Sequence, residues 1–338
     1  MSEPSPLSSL AAPPSFFQGI PLASFMMVMG LAGLALVWGR MSRLGWTPEF
    51  SGHVALGVSL LAFFVFLVLF VSYLRKWLRD PAAVRAEWLH PVKSSFFATI
   101  SVSFALLASV ALGQFAPLAE PLWIIGALTQ LLVMVLVLNA WVYRETLQPV
   151  HASPVWFIPA VANVVIPLAG VPLGYVEISW WFFAVGILFW GVLLTLVLAR
   201  LLFVQPAFPE QLVPTLCIFL APPAVGFISW VLLTQQFADG RSLDVIGHLL
   251  FGLAVFFALF LLSQVHRFAR IPFYMSWWAF AFPTAAFATA CLIYQSFVPH
   301  PAMTALAGTA VVVTTALVFW LVLRTLVAIV QKDPRLVE

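Results

Sequence analysis

Ten runs of about twenty or more apolar residues follow one another along the chain with only short breaks between them. They cover 17–38, 53–74, 94–115, 121–143, 155–173, 178–204, 213–236, 243–265, 276–297 and 302–330. A helix needs about 20 apolar residues to cross a hydrocarbon core about 30 Å thick. Lipid offers nothing for backbone N–H and C=O groups to bond, so each run is expected to be a helix. Composition agrees: 63% of residues are hydrophobic and 8% charged, whereas a soluble domain carries about 25% charged residues to cover its surface. The fold class expected is an all-α membrane protein of ten transmembrane helices. The fifth run is interrupted by Pro159 and Pro167.

The flanks divide simply. Residues 1–16 are Pro- and Ser-rich, with Glu3 as their one charge and no basic stretch of the kind that opens a signal peptide. They are expected to be a disordered cytoplasmic tail, with 17–330 the transmembrane domain and 331–338 a cytoplasmic C-terminal tail. Cys217 and Cys291 fall in separate apolar runs and read as packing residues rather than a disulfide or a metal motif.

Basic residues alternate between the two edges of the membrane. One edge holds Arg75, Lys76, Arg79, Arg85, Lys93, Arg144, Arg200, Arg267 and Arg270, with Arg324, Lys332 and Arg335 near the C-terminus. The other holds Arg40, Arg43 and Arg241. Lys and Arg in short loops stay cytoplasmic, so both termini are expected inside, which requires an even number of spans. The net charge of +3 follows from this bias and points to no nucleic acid.

Proline separates the spans into two sets. The even spans read as aliphatic and aromatic runs without interior proline, such as LLAFFVFLVLF at 60–70. The odd spans carry Pro21, then Pro159 and Pro167, then Pro222 and Pro223, then Pro283; the third span instead carries hydroxyls, among them Ser103. Prolines at 91, 154, 214 and 272 precede odd spans at intervals of 63, 60 and 58 residues. That period of about 60 residues marks a repeated two-helix hairpin. Proline removes a backbone hydrogen bond, and the freed carbonyl is tolerated in a membrane where it faces protein or water. The odd helices are therefore expected to form an inner ring around a central hole, inside an outer ring of even helices. Pro21, Ser103, Pro159, Asn163, Pro167, Pro222, Pro223, Ser229, Pro283 and Thr284 become candidate pore-lining or kink residues. Polar members of this set also serve as hydrogen-bond donors between helices.

The chemistry expected is sparse. No Asp, Glu, Lys or Arg lies near the middle of a span, which weighs against a proton relay through the membrane. The six histidines fall at span ends or in loops, where no pair could hold a haem, and no zinc or nucleotide motif appears. Neither an enzyme nor a bound cofactor or metal is expected.

Four segments carry a family resemblance. PPSFFQGIPLASFMMVMGLAGLALVWGR (13–40), LHPVKSSFFATISVS (89–103), FIPAVANVVIPLAG (157–170) and SWWAFAFPTAAFATA (276–290) resemble, in order, stretches of the TehA tellurite-resistance proteins. Plant guard-cell slow anion channels and fungal malic-acid carriers belong to the same family. HPV at 90–92, PAVAN at 159–163 and WWAFAFP at 277–283 are the most specific parts. The resemblance implies five hairpins in quasi-fivefold order around a pore, a homotrimer, conduction of small inorganic or organic anions, and a pore-blocking phenylalanine that falls on Phe282, with Phe280 as the fallback. Lys93 and Arg270 could concentrate anions at the cytoplasmic mouth. The function expected is a gated passive anion channel, probed against a secondary carrier or exporter of a C4-dicarboxylate, sulfite or tellurite-related oxyanion. The place expected is a bacterial inner membrane.

Overall fold

In the computed structural model the described residues are 19–234 and 242–336. The expectation for residues 1–16 therefore lies outside them, as does that for Arg241. Among the described residues nine helices are long and apolar enough to cross a membrane: α1 (Leu22–Arg43), α2 (Pro48–Arg79), α3 (Lys93–Gln114), α4 (Ala116–Tyr143), α6 (Val176–Phe203), α7 (Glu210–Leu233), α8 (Val245–Ser263), α9 (Met275–Phe297) and α10 (Pro301–Val330). A shorter apolar segment, α5 (Pro154–Gly170), fills the place of the fifth run. The protein is an all-helical integral membrane protein.

The two proline classes differ in burial. In α1, α3, α7 and α9, 72–78% of the apolar stretch is buried inside the chain, against 22–33% in the even helices. Each odd segment packs on the even helix that follows it. Among the odd segments, α1 touches α3 and α9, α3 touches α5, α5 touches α7, and α7 touches α9. The even helices turn leucine, valine and phenylalanine outward, as Leu128, Leu188, Phe256 and Phe319 show.

The prolines act differently from simple kinks. Every odd segment starts with a 3-10 stretch: Leu22–Phe25, Lys93–Phe97, Pro154–Trp156, Glu210–Leu220 and Met275–Phe280. The even helices are α throughout. Where the 3-10 stretch gives way to α-helix, the interior prolines take places in the first turn: Pro222 and Pro223 in Ala221–Leu233, and Pro283 in Ala281–Phe297. Within α5, Pro159 is the third residue of the short α piece Phe157–Val161, and Pro167 opens Pro167–Gly170. Pro222, Pro223 and Pro283 thus sit where bonding passes from the 3-10 to the α pattern, a change marked by the Ala221 N–H on the Ile218 carbonyl and the Ala281 N–H on that of Trp278. One detail departs from expectation: α4 begins five residues earlier than its apolar run, which leaves Pro121 inside an even helix.

Broken α5 exposes carbonyls, and its neighbours bond them. The buried Gln130 of α4 donates from Nε2 to the Pro159 carbonyl at 2.8 Å and accepts from Ser101 Oγ of α3 at 2.7 Å. Trp123 Nε1 donates to the Ile166 carbonyl at 3.0 Å, and Ser229 Oγ of α7 to that of Val164 at 2.6 Å. At the basic edge, Arg200 is buried and donates to the carbonyls of Val150, Val204 and Pro206. Lys76 bonds the Ile20 carbonyl at 3.0 Å and Glu87 at 2.7 Å. These cations also close loops. Within 331–336, Leu336 is buried.

Small residues set the closest approach. A methyl group built on Gly30 of α1 would collide with Ala281 Cβ of α9, and one on Gly33 would lie 2.9 Å from Ala285 Cβ. Gly30→Ala is therefore expected to lower stability by about 1–3 kcal/mol through overpacking. Gly57→Ala, on the outer face of α2 with nothing within 4 Å, is expected to be neutral or mildly stabilising. Thermal unfolding of the two variants in one detergent checks this; equal midpoints would mean that α1 and α9 are not in close contact.

Candidate functional site

Three cavities lie in a row between the odd segments, met in the same order along each helix that lines all three. On α1 the first borders Pro21–Ala23, the second Met26 and Met29, and the third Gly33, Leu36, Arg40 and Arg43. On α9 the same sequence runs Met275 and Ser276, then Trp278 and Ala279, then Ala285, Ala286 and Thr289. On α7 it runs Gln211, then Ile218 and Pro222, then Ile228 and Leu232.

The outer two cavities are roomy and the middle one is not. The first, at the Lys93 end, measures about 280 Å³ and the third, at the Arg43 end, about 310 Å³. The middle cavity holds about 50 Å³, little more than the ~30 Å³ that one liquid water occupies. Its walls are apolar side chains, including Phe157, Val161, Ile218 and Trp278, and no charged residue borders it. Such a space is poorly wetted, because water there finds few hydrogen-bond partners.

Phe282 and Val225 line both the middle cavity and the third. Phe282 is the second residue of the α part of α9, one place before Pro283, and is 93% buried, with 7% of its surface exposed. Its ring lies over α1 at Gly33, where a built methyl would stand 3.3 Å from Phe282 Cδ2. Glycine there gives the ring its place, and Ala285 and Ala286 leave open space beyond it. Phe280 is placed otherwise. It stacks on Trp277 (ring centres 5.2 Å apart, planes at 22°) and meets Phe268 edge-on at 4.9 Å, and it borders none of the three cavities.

The other candidates divide. Pro222 and Pro283 border the middle cavity, and Pro21 and Lys93 the first. Pro159, Asn163, Pro167, Pro223, Ser103, Ser229 and Thr284 border none of the three. Their polar groups are occupied locally. Ser103 donates to the Thr99 carbonyl at 2.6 Å, Asn163 Nδ2 to that of Ala160 at 2.6 Å, and Thr284 to that of Phe280 at 2.9 Å. Arg270 is exposed and does not border the first cavity.

Sequence reasoning missed two features. Arg40 and Arg43, counted there as loop charges, border the third cavity. Arg335, placed in a tail, borders the first with His90 and Glu87. His90 accepts at Nδ1 from the backbone N–H groups of Val92 and Lys93, each at 3.1 Å. Partial burial first, then the nearby Lys93, holds its pKa below the usual histidine value. The neutral ring that caps this turn is thus the favoured form.

Accessibility follows from these positions. With Cys217 and Cys291, both buried, replaced by alanine, cysteine at Thr289 or Ile228 is expected to react with a small water-soluble thiol reagent. Cysteine at Ser103, Asn163 or Ser229 is expected to react far more slowly. Equal rates at all five positions would remove the third cavity as an aqueous space.

Residues 19–326 match the family described as voltage-dependent anion channel, SLAC1. The S-type anion channel SLAH3 of Arabidopsis thaliana is 26% identical over 94% of this chain and 50% of its own length. The guard cell S-type anion channel SLAC1 of the same plant is 26% identical over 92% of this chain and 56% of its own. The tellurite resistance protein TehA homolog of Haemophilus influenzae is 27% identical over 81% of each. The chain spans about half the length of these plant relatives. With its odd and even helices sorted by burial and its matched stretch covering nearly every described helix, the chain belongs to the SLAC1 family.

Proposed function

We propose that this protein is a gated passive anion channel whose conduction path is the row of three cavities, closed at Phe282. The observation that carries this reading is the position of one ring, which forms a wall of both the narrow apolar cavity and the wide cavity beyond it. In an uncharged constriction an aromatic ring blocks by bulk and by dewetting, and a rotation that clears the axis opens it. The contacts of each odd segment with the next, and of α9 with α1, support five hairpins in quasi-fivefold order around that path. Homotrimeric assembly, cytoplasmic termini and a bacterial inner membrane belong to the same reading.

The walls favour anions without trapping them. The middle cavity has no carboxylate to repel an anion and no cation to hold one. Weak binding favours throughput over retention. Lys93 at one mouth and Arg40 and Arg43 at the other raise the local anion concentration. In the first cavity Glu87 is paired with Lys76 at 2.7 Å, which offsets its repulsion.

Removal of the ring tests the reading. Phe282→Ala in planar bilayers is expected to raise unitary anion conductance roughly tenfold or more, with anion-over-cation selectivity kept. Phe280→Ala is expected to leave conductance near the parent's. Because the ring borders open space on two sides, the stability cost of Phe282→Ala should fall below the ~3–5 kcal/mol typical of a packed phenylalanine. A well-folded Phe282→Ala protein that conducts no better than the parent would refute the plug. Saturable flux without unitary currents would instead support a carrier or exporter of a small anion.

A further inference from the structure

The third cavity has a chemistry of its own that blocking at Phe282 does not require. Arg40 and Arg43 both line it. Three residues apart on α1, they are neighbours on one helix surface. Arg40 is engaged in a further interaction within the structure and contributes its position and charge. Arg43 forms no hydrogen bond or ion pair among the described residues. Its Nη1 lies 3.7 Å from where a methyl on Gly113 would stand, so the glycine of α3 leaves room for the guanidinium at the wall.

Thr289 of α9 lines the same cavity, half-buried and without a hydrogen bond of its own among the described residues. It lies seven residues beyond Phe282 on the same face of α9, two turns along, with Ala285 and Ala286 between. Its behaviour contrasts with that of Ser109, whose hydroxyl is already donated to the Ala105 carbonyl at 3.0 Å and which faces the same cavity. The groups that line this space therefore supply one guanidinium fork from Arg43, one unbonded hydroxyl from Thr289 and the added positive charge of Arg40. No acidic side chain borders it among the described residues.

The geometry points to an oxyanion-binding vestibule formed by Arg40, Arg43 and Thr289, outside the Phe282 constriction, that takes a small carboxylate- or sulfate-like anion in preference to a halide. A guanidinium presents paired N–H groups in a planar fork that matches two oxygens of one anion, and a spherical halide cannot use both arms as well. The fork of Arg43 and the second positive charge of Arg40 suit an anion with two charges. The volume of about 310 Å³ holds such an anion with several of its waters at ~30 Å³ each. Binding is independent of the channel reading; only the site's part in permeation rests on it.

The test uses the full chain, purified in detergent, with radiolabelled sulfate as probe and chloride as competitor at constant ionic strength. The parent is expected to bind sulfate saturably, with chloride a weak competitor. Arg43→Gln is expected to weaken sulfate roughly tenfold and Thr289→Val roughly threefold, as loss of a charged and a neutral donor should. Arg40 is left intact, because it is engaged elsewhere. Absence of saturable binding in the parent, or an unchanged affinity in monodisperse Arg43→Gln, would overturn the assignment. If Arg43→Gln does not fold, Thr289→Val decides alone, and an unchanged affinity there overturns it. Arg43-dependent binding together with a silent Phe282→Ala channel would uphold the vestibule and refute the channel. Anion currents without Arg43-dependent binding would do the reverse.

Discussion

Every other feature of this molecule depends on the need to satisfy backbone hydrogen bonds away from water. Lipid outside and an apolar cavity inside offer a free carbonyl nothing, and an unmet group costs several kcal/mol. The even helices solve this by being unbroken. The odd segments run 3-10 first and α afterwards, and Pro222, Pro223 and Pro283 fall where the bonding pattern changes. In α5, broken twice, the carbonyls of Pro159, Ile166 and Val164 accept from Gln130, Trp123 and Ser229, which reach across from α4 and α7. These bonds fix α5 between its neighbours, and with it one wall of the middle cavity.

How much of this could be read beforehand follows from the same constraint. Interior prolines fall in the buried segments with the exception of Pro121, so the division into inner and outer segments was visible in the spacing of Pro91, Pro154, Pro214 and Pro272. What prolines do inside a segment was not visible. A proline at the first turn after a 3-10 stretch and a proline that kinks a continuous helix look alike in sequence. Pro121 illustrates the limit: the helix that contains it starts at Ala116, and the apolar run alone could not show that.

The polar residues divide less legibly than the prolines. A serine in a membrane helix can donate to its own preceding turn, bridge to a neighbour or face water, and all three need the same residue in the same apolar surroundings. Ser103 does the first, Ser229 the second, and neither borders a cavity. Thr289 borders one with its hydroxyl unbonded among the described residues, yet nothing around it in the sequence sets it apart from Thr284 five residues earlier. Arg40 and Arg43 were hidden for another reason. Charges at a span end are counted toward topology, and that count is blind to whether a side chain turns to a loop or back along the helix. Their spacing of three residues, which puts both on one face, was the available signal.

The separation between the arginines and the ring bears on how conduction and closure could coexist. Gly33 marks the level of Phe282, so Arg40 and Arg43 emanate from α1 about 10 and 15 Å further along the axis at 1.5 Å per residue. At an effective dielectric constant near 20, a unit charge at those distances stabilises an anion beside the ring by about 1–2 kcal/mol. That raises local occupancy by roughly tenfold per arginine. It does not approach the several kcal/mol needed to strip a small anion of water and seat it in a dry cavity, here about 50 Å³ in volume. Arginines at this distance can therefore fill the vestibule without forcing the constriction. Moved two turns closer, beside Phe282, either one would wet the gate and hold the anion there, and the device would lose both its closed state and its throughput. On the proposed channel reading, an apolar centre with its charges kept to the mouths would let one ring decide whether anions pass.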